Sequence, residues 1–231
     1  MKRPEARDIR PLGLFGGTFD PIHFAHLRLA EAAYGELGLS GIRWIPAGKP
    51  VLRESPHADA RQRLEMVRLA IADNPRFELD ATEVEADRPS YTVPTIERLR
   101  QPDQCGAELP LVLLVGADAF SSLPSWHLWE RLFKLAHIAV ARRPGFPIEP
   151  ETLPEHLSEV WRARFSADPD VLSHAPSGAI VSFPMTPLGI SATRIRQLIL
   201  SGLSTRYLLP DPVIAYIEER RFYRESSRAP R

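Results

Sequence analysis

An α/β fold, an open parallel sheet with helices on both faces, is what this chain of 231 residues predicts. Three observations carry that expectation. Short apolar runs alternate with longer segments whose apolar residues recur at helical spacing, the pattern of parallel strands joined by crossover helices. The run from Leu111 to Val115 is apolar at every position, as expected of a strand covered on both faces. The first run ends at Gly16-Gly17, just before a helical segment. That places a glycine turn at the carboxyl end of a strand, where open α/β sheets bind ligands.

Each element follows in order. Residues 9–15 read as the first strand. Residues 24–37 read as a helix with Leu27, Ala30, Tyr34 and Leu37 at helical spacing, closed by Gly38. Residues 42–45 form a second strand, stopped by Pro46, and residues 47–56 a polar, proline-bearing loop. Residues 61–72 read as a helix with Leu64, Val67 and Ile71 on one face. Residues 77–79 are a short strand and 93–99 a helix. The Leu111 strand is broken by Gly116, and a strand over 138–141 runs into Arg142-Arg143-Pro144. Residues 153–165 read as a helix within an insertion. Residues 180–183 are the last strand and 191–200 the helix after it. Asp211-Pro212 opens a final helix, with the aspartate as N-cap and the proline at the first helical position. Residues 9–223 are expected to form one domain, with flexible tails at 1–8 and 224–231. No internal repeat or low-complexity tract interrupts the chain.

Composition narrows the function classes. The 29 basic and 29 acidic residues balance to zero, so no global field draws the chain to nucleic acid or to an anionic membrane. Any phosphate chemistry must come from a local cluster. The lone Cys105 forms no disulfide within the chain and excludes a structural zinc site of two or four cysteines. Residues 1–10 are of mixed charge with no apolar run, unlike a signal peptide. The longest apolar stretch, 109–115, falls far short of the ~20 residues that cross a bilayer. A reducing, cytoplasmic setting is expected, with no nucleic-acid or membrane partner. A homo-oligomer stays open.

The first candidate site is Gly16-Gly17-Thr18-Phe19-Asp20-Pro21-Ile22-His23-Phe24-Ala25-His26, between strand and helix. Adjacent glycines let the backbone approach a ligand closely and use positive φ. A helix start near His23 offers unpaired N–H groups and a positive dipole end, both suited to phosphate. His23 and His26, three apart, share a face of the first turn, where imidazoles can stabilise charge on phosphate oxygens. The competing reading is two partly buried helix histidines. Zinc lacks a third ligand nearby, and the segment is neither a dinucleotide fingerprint nor a Walker A loop.

The second candidate site is Gly189-Ile190-Ser191-Ala192-Thr193-Arg194-Ile195-Arg196. Ser191 is a good N-cap, and Ile190 and Ile195 stand at the two positions of a hydrophobic staple. Arg194 and Arg196 lie early in that helix, where cations oppose the dipole unless an anion binds there. Two arginines there point to a polyphosphate; the alternative is that both point to solvent or pair with acidic neighbours.

Residues 16–26 resemble the GGTFDPxHxGH signature of the nicotinate-nucleotide adenylyltransferase family, with Ala25 for the usual glycine. Residues 190–196 are similar to the ISSTxIR signature of the same nucleotidyltransferase superfamily, with Ala192 for its second serine and Arg194 at a variable position. Further matches extend from about residue 12 to 223: Ser90-Tyr91-Thr92 with Thr95, Gly116-Ala117-Asp118, Pro124-Ser125-Trp126 with Trp129, Arg142-Arg143-Pro144, and the close from Leu208 to Tyr223. One stretch departs. Many relatives carry PPHK or PPHR after the second strand; here Pro50-Val51-Leu52-Arg53 follows Lys49, and the histidine is missing.

The resemblance implies a Rossmann-like sheet and adenylyl transfer from ATP to nicotinate mononucleotide, releasing pyrophosphate, in NAD biosynthesis. It implies His23, His26 and Arg196 as catalytic. Gly16, Gly17, Thr18, Phe19, Gly116, Asp118, Ser191 and Thr193 would bind ATP. Lys49, Tyr91, Thr92, Trp126 and Arg143 would bind the second substrate, with Trp126 stacking on the pyridine ring or else serving as a core tryptophan. Lys49 or Arg53 would meet the substrate phosphate, unless Lys49 is a solvated loop lysine. Mg²⁺ is expected on the ATP phosphates, with no protein metal ligand. The rival readings are a neighbouring enzyme of the pantetheine-phosphate adenylyltransferase type and a nucleotide-binding protein without catalysis.

Overall fold

The computed structural model describes residues 9–51, 55–142, 145 and 148–224. The first half runs β1 (Leu12–Gly17), α1 (Phe24–Glu36), β2 (Gly41–Pro46), β3 (Lys49–Pro50), α2 (Ala60–Ile71), β4 (Phe77–Leu79), α3 (Thr82–Glu85), β5 (Pro89–Ser90) and α4 (Thr92–Leu99). The second half runs β6 (Leu111–Gly116), α5 (Ala117–Ser121), α6 (Leu132–Leu135), β7 (His137–Arg142), α7 (Glu155–Arg164), β8 (Ile180–Pro184), α8 (Ala192–Leu200) and α9 (Asp211–Arg220). Among the described residues, six strands form one all-parallel sheet in the order β4-β2-β1-β6-β7-β8. The order reverses beside β1, the switch point at which such sheets open a crevice.

Two apolar layers cover the sheet, and period-two alternation divides each strand between them. In β6, Val112 and Leu114 face one layer, with α1, α2, α8 and α9. Leu111, Leu113 and Val115 face the other, with α4, α6 and α7. Both faces are dry, so the strand reads as one continuous apolar run.

The structure differs from the sequence expectations in four places. β1 begins at Leu12 rather than residue 9: Pro11 has no N–H for a ladder, and Arg10 instead donates to the carbonyls of Gly38 and Leu39. The loop after β2 contains β3, which pairs with β5 in a two-residue ladder too short for any hydrophobic pattern. The helix over 155–164 is no insertion. It is the β7–β8 crossover, burying Leu157 and Trp161 in the second layer, with Trp161 against Phe120 at 5.5 Å. Finally, α9 is capped by Pro210; Asp211 already has helical backbone and no side-chain cap bond forms.

The buried face of α2 is also turned slightly from expectation. Arg63, Met66, Val67 and Ile71 are buried, and Leu64 is only partly so. No helix among the described residues is long and apolar enough to cross a membrane. The expected tails, apart from Arg224, lie outside the described residues.

Candidate active site

A cavity of about 1620 Å³ opens at the carboxyl ends of β1 and β6. Fourteen residues singled out from the sequence line it: Gly16, Gly17, Thr18, Phe19, His23, His26, Tyr91, Thr92, Gly116, Asp118, Trp126, Ser191, Thr193 and Arg196. Two do not join them. Lys49 is outside the lining; its ammonium is exposed and paired with Asp87. Arg143 lies outside the described residues, as does Arg53, while Arg142 at the end of β7 lines the cavity. Arg194 is exposed and does not face the cavity.

Neither glycine of the first motif has positive φ, and Gly17 is required by space. Gly16 and Gly17 are still paired in β1, opposite Ile45 and Pro46. The left-handed residue is Phe19, at φ 50°, a conformation disfavoured for a side chain of that size. Its ring is buried against Phe15, His26 and Trp44, with centroids 5.6, 5.1 and 5.5 Å away. A Cβ on Gly17 would come within 2.8 Å of that ring, so packing here requires glycine. Ala25 is not among the residues with positive φ, so alanine fits there without backbone strain.

The histidines sit as the spacing predicts. Their rings stack at 3.7 Å with a 20° tilt. His26 Nδ1 accepts from the His23 N–H at 3.2 Å, which leaves the proton of a neutral ring on Nε2, a donor. The N-terminus of α1 is less open than expected. The Phe24 N–H donates to Leu208 O at 3.0 Å, and those of His26 and Leu27 turn back to His23 O. These N–H groups are spent inside the protein, so any help to a phosphate comes from the imidazoles and the dipole. His23 is 5% exposed, and burial pushes its imidazole down to about 4. The ring is therefore neutral at pH 7. Among the described residues, His23 Nδ1 and Trp44 Nε1 are the buried side-chain nitrogens and oxygens without a partner. Such orphans are costly in a folded protein, and one that lines a cavity fits a ligand position.

One buried carboxylate joins the two motifs. Asp20, 6% exposed, accepts from the N–H groups of His57 (2.8 Å) and Ala58 (3.2 Å) and from the Tyr223 hydroxyl (2.7 Å). Arg196 donates to the Asp20 carbonyl at 2.7 Å and stands 3.9 Å from its carboxylate. The first motif, the start of α2, α8 and the turn after α9 thus meet on one residue. Ser191 Oγ accepts from the Arg194 N–H, so it is the N-cap of α8 as predicted. Arg63, 1% exposed, adds a second tie by donating to the carbonyls of Ala58, Thr18 and Gly48.

The other end of the cavity carries Tyr91, Thr92 and Trp126. Trp126 is half-buried with its ring packed against the second apolar layer, not a core residue. His127, exposed and in the lining, lies 4.6 Å from the Tyr91 ring. Glu83 supports this end from below by accepting from the Thr95 hydroxyl, and burial pushes its carboxyl up.

Sequence reasoning missed Asp20, His57, Arg63, Glu83, His127 and Tyr223. Asp20 and Tyr223 lie inside quoted motifs, where a carboxylate and a phenol 203 residues apart gave no sign of contact. Arg63 stands four residues before Val67 on the buried face of α2, but its charge kept it out of the apolar pattern. For metal binding, no group of three or more His, Cys, Asp or Glu side chains converges among the described residues. The Asp20 carboxylate is already satisfied within the protein, and Asp118 is an isolated carboxylate.

The family model described as cytidylyltransferase-like matches residues 14–198. A protein of Dechloromonas aromatica named probable nicotinate-nucleotide adenylyltransferase is 58% identical over 216 residues, 94% of this chain and 99% of that one. A protein of the same name from Pseudomonas putida is 44% identical, over 95% of this chain and 98% of its own. Among solved structures, the Plasmodium falciparum nicotinic acid mononucleotide adenylyltransferase complexed with NaAD superposes with a TM-score of 0.67. It covers 93% of this chain and 97% of its own at 15% identity, a likeness of fold.

Proposed function

The chain belongs to the cytidylyltransferase-like family, among the nicotinate-nucleotide adenylyltransferases, and from that premise we propose how its cavity works. It transfers the AMP part of ATP to nicotinate mononucleotide, giving nicotinate adenine dinucleotide and pyrophosphate, in the biosynthesis of NAD. An oxygen of the mononucleotide's 5′-phosphate attacks the α-phosphorus of ATP. The new P–O bond forms as the α–β bridging bond breaks, and its electron pair leaves on pyrophosphate. No protein nucleophile takes part, and residues 9–223 act as one nucleotidyltransferase domain.

The supporting observation is that His23, His26 and Arg196 all line the one cavity, and that Arg196 donates to the carbonyl of Asp20, three residues before His23. Catalysis is positioning and charge stabilisation. His23 and His26 donate to oxygens of the α- and β-phosphates, where charge grows as the bridge breaks. Arg196, Thr193 and Ser191 hold the leaving pyrophosphate at the start of α8. The adenylate lies along Gly16, Gly17, Thr18, Phe19, Gly116 and Asp118. The pyridine ring lies on Trp126, beside Tyr91 and Thr92. A divalent ion, Mg²⁺ in our reading, would be held by the ATP phosphates and would supply charge neutralisation there.

Pyrophosphate release with ATP, Mg²⁺ and a panel of acceptors tests the reading. Nicotinate mononucleotide is expected to give the highest kcat/KM, with nicotinamide mononucleotide lower and phosphopantetheine inactive. Donors set for a carboxylate leave the amide NH₂ facing other N–H groups, a mismatch worth roughly a few kcal/mol. Preference for the amide would overturn the acid selectivity alone. Turnover with phosphopantetheine only, or with no acceptor, would overturn the function.

A further inference from the structure

The connection from β2 to α2 brings an additional imidazole into the cavity. His57 lines it and its side chain is 59% exposed, so the ring is open to a ligand. Its backbone is fixed: the His57 N–H donates to Asp20 Oδ2 at 2.8 Å. Its Nδ1 stands 3.6 Å from that same oxygen, and the ring lies 6.4 Å from that of Tyr223. Arg196 NH1 is 3.9 Å from the same Asp20 Oδ2. His57 and Arg196 therefore both stand by one carboxylate oxygen, and both residues line the cavity.

We propose that His57 is a phosphate-contacting residue of this reaction. Its imidazole, steered by the buried Asp20, donates a hydrogen bond to a phosphate oxygen of a bound nucleotide. Asp20 has a positioning role: it holds the His57 backbone N–H at 2.8 Å and stands 3.6 Å from the ring nitrogen Nδ1, as carboxylates do beside histidines that work on a ligand. Two oxyanions come together in this cavity, the acceptor's 5′-phosphate and the triphosphate. The β2–α2 connection enters across β1 from the strands that lead to α8. It adds a donor beside Arg196, at the same Asp20 carboxylate oxygen. The inference rests on the adenylyl-transfer reading.

The experiment compares full-length wild type with His57→Ala and His57→Gln. It uses steady-state kinetics in each substrate, thermal melting, and isothermal titration with nicotinate mononucleotide, ATP and pyrophosphate separately. The Asp20 contacts made by backbone N–H groups survive in both variants. The expected result for His57→Ala is a KM raised ~10-fold for one of the two nucleotides, with matching loss of binding in titration and a melting temperature near wild type. His57→Gln, which keeps a side-chain donor, should recover part of that loss. The affected nucleotide tells which phosphate His57 meets: the mononucleotide alone, or ATP together with pyrophosphate. Unchanged KM values within twofold in both substrates overturn the proposal. So does a general loss that follows a lower melting temperature and is not rescued by glutamine, since that marks a structural role. An inactive wild type that still binds pyrophosphate through His57 would sink the reaction and leave the contact standing.

Discussion

At the end of the cavity we propose for the phosphates, Asp20 and His23 are 6% and 5% exposed, and Arg63 behind them is 1% exposed. At the ring end, Trp126 is half-buried and His127 is exposed. The phosphate end is tied by long-range bonds: Tyr223 and Arg196 reach Asp20 across 203 and 176 residues. The ring end rests on nearer contacts, with Glu83 supporting Thr95 twelve residues on and His127 leaning on Tyr91. On the proposed reading, charge stabilisation needs donors that do not reorganise as the bond breaks, and the buried ties around Asp20 and His23 suit that need, while Ser191, Thr193 and His57 stay exposed to a ligand. Choosing among rings needs a flat surface and a few polar groups, which half-exposed side chains supply.

The largest effect is expected where that rigidity is concentrated. Asp20→Ala leaves the Tyr223 hydroxyl and two N–H groups without their acceptor and should cost on the order of 3 kcal/mol. Thermal melting should fall by roughly 6–12 °C for a chain of this size. A melting temperature within 2 °C of wild type would show that Asp20 is not the joint described above.

His23→Ala should lower kcat at least ~100-fold, about 2.7 kcal/mol, through loss of one preorganised donor. ATP affinity should change much less. Near-normal turnover in rapid-quench assays would remove His23 from the transition state.

The same residue gives the phosphate end a pH dependence. His23 falls from its ordinary value of 6.5 to about 4 on folding, so the unfolded chain binds the extra proton between those values. Stability from His23 is fully present above about pH 6.5 and is lost as pH falls towards 4. Denaturant titrations should show wild type losing about 2 kcal/mol more than His23→Gln between pH 7 and pH 5. Equal slopes would mean the imidazole is not held neutral.

At the ring end the effects should be smaller and confined to one substrate. Trp126→Ala should raise KM for nicotinate mononucleotide about tenfold, ~1.4 kcal/mol, within the range of aromatic stacking on a base. ATP binding should hold, and melting should shift little because the ring is not in the core. Equal weakening of both substrates would erase the contrast between the two ends. Smallest of all, Lys49→Ala should leave both KM values within about twofold, since an exposed ion pair is worth little. A large rise for either substrate would return Lys49 to the site.

Much of the architecture was legible in the residues themselves. Val112 and Leu114 alternate with Leu113 and Val115 between two dry layers, so a parallel strand announces itself as an unbroken apolar run. His23 and His26 lie within one helical turn, and Ser191 precedes Arg196 by five residues, so local geometry decides such pairs. The motifs alone marked fourteen cavity residues. Where conformation depends on distant packing, local reading misled. Gly16 and Gly17 suggest positive φ, yet Phe19 carries it, because its ring must lie over Gly17 to reach Trp44. Lys49 suggests a phosphate contact, yet the short β3–β5 ladder turns it out to Asp87.

The amino-acid sequence by itself determined the alternation of strands and helices and the two motifs that meet at the cavity. Those depend on periodicity and on neighbours a few residues apart. Only the tertiary structure decided which polar groups meet across the chain. Asp20 gathers His57, Arg196 and Tyr223, buried Arg63 ties three loops, and His23 is neutral because the fold removes its water. These are effects of burial and of contacts closed over many residues, and no local pattern encodes them.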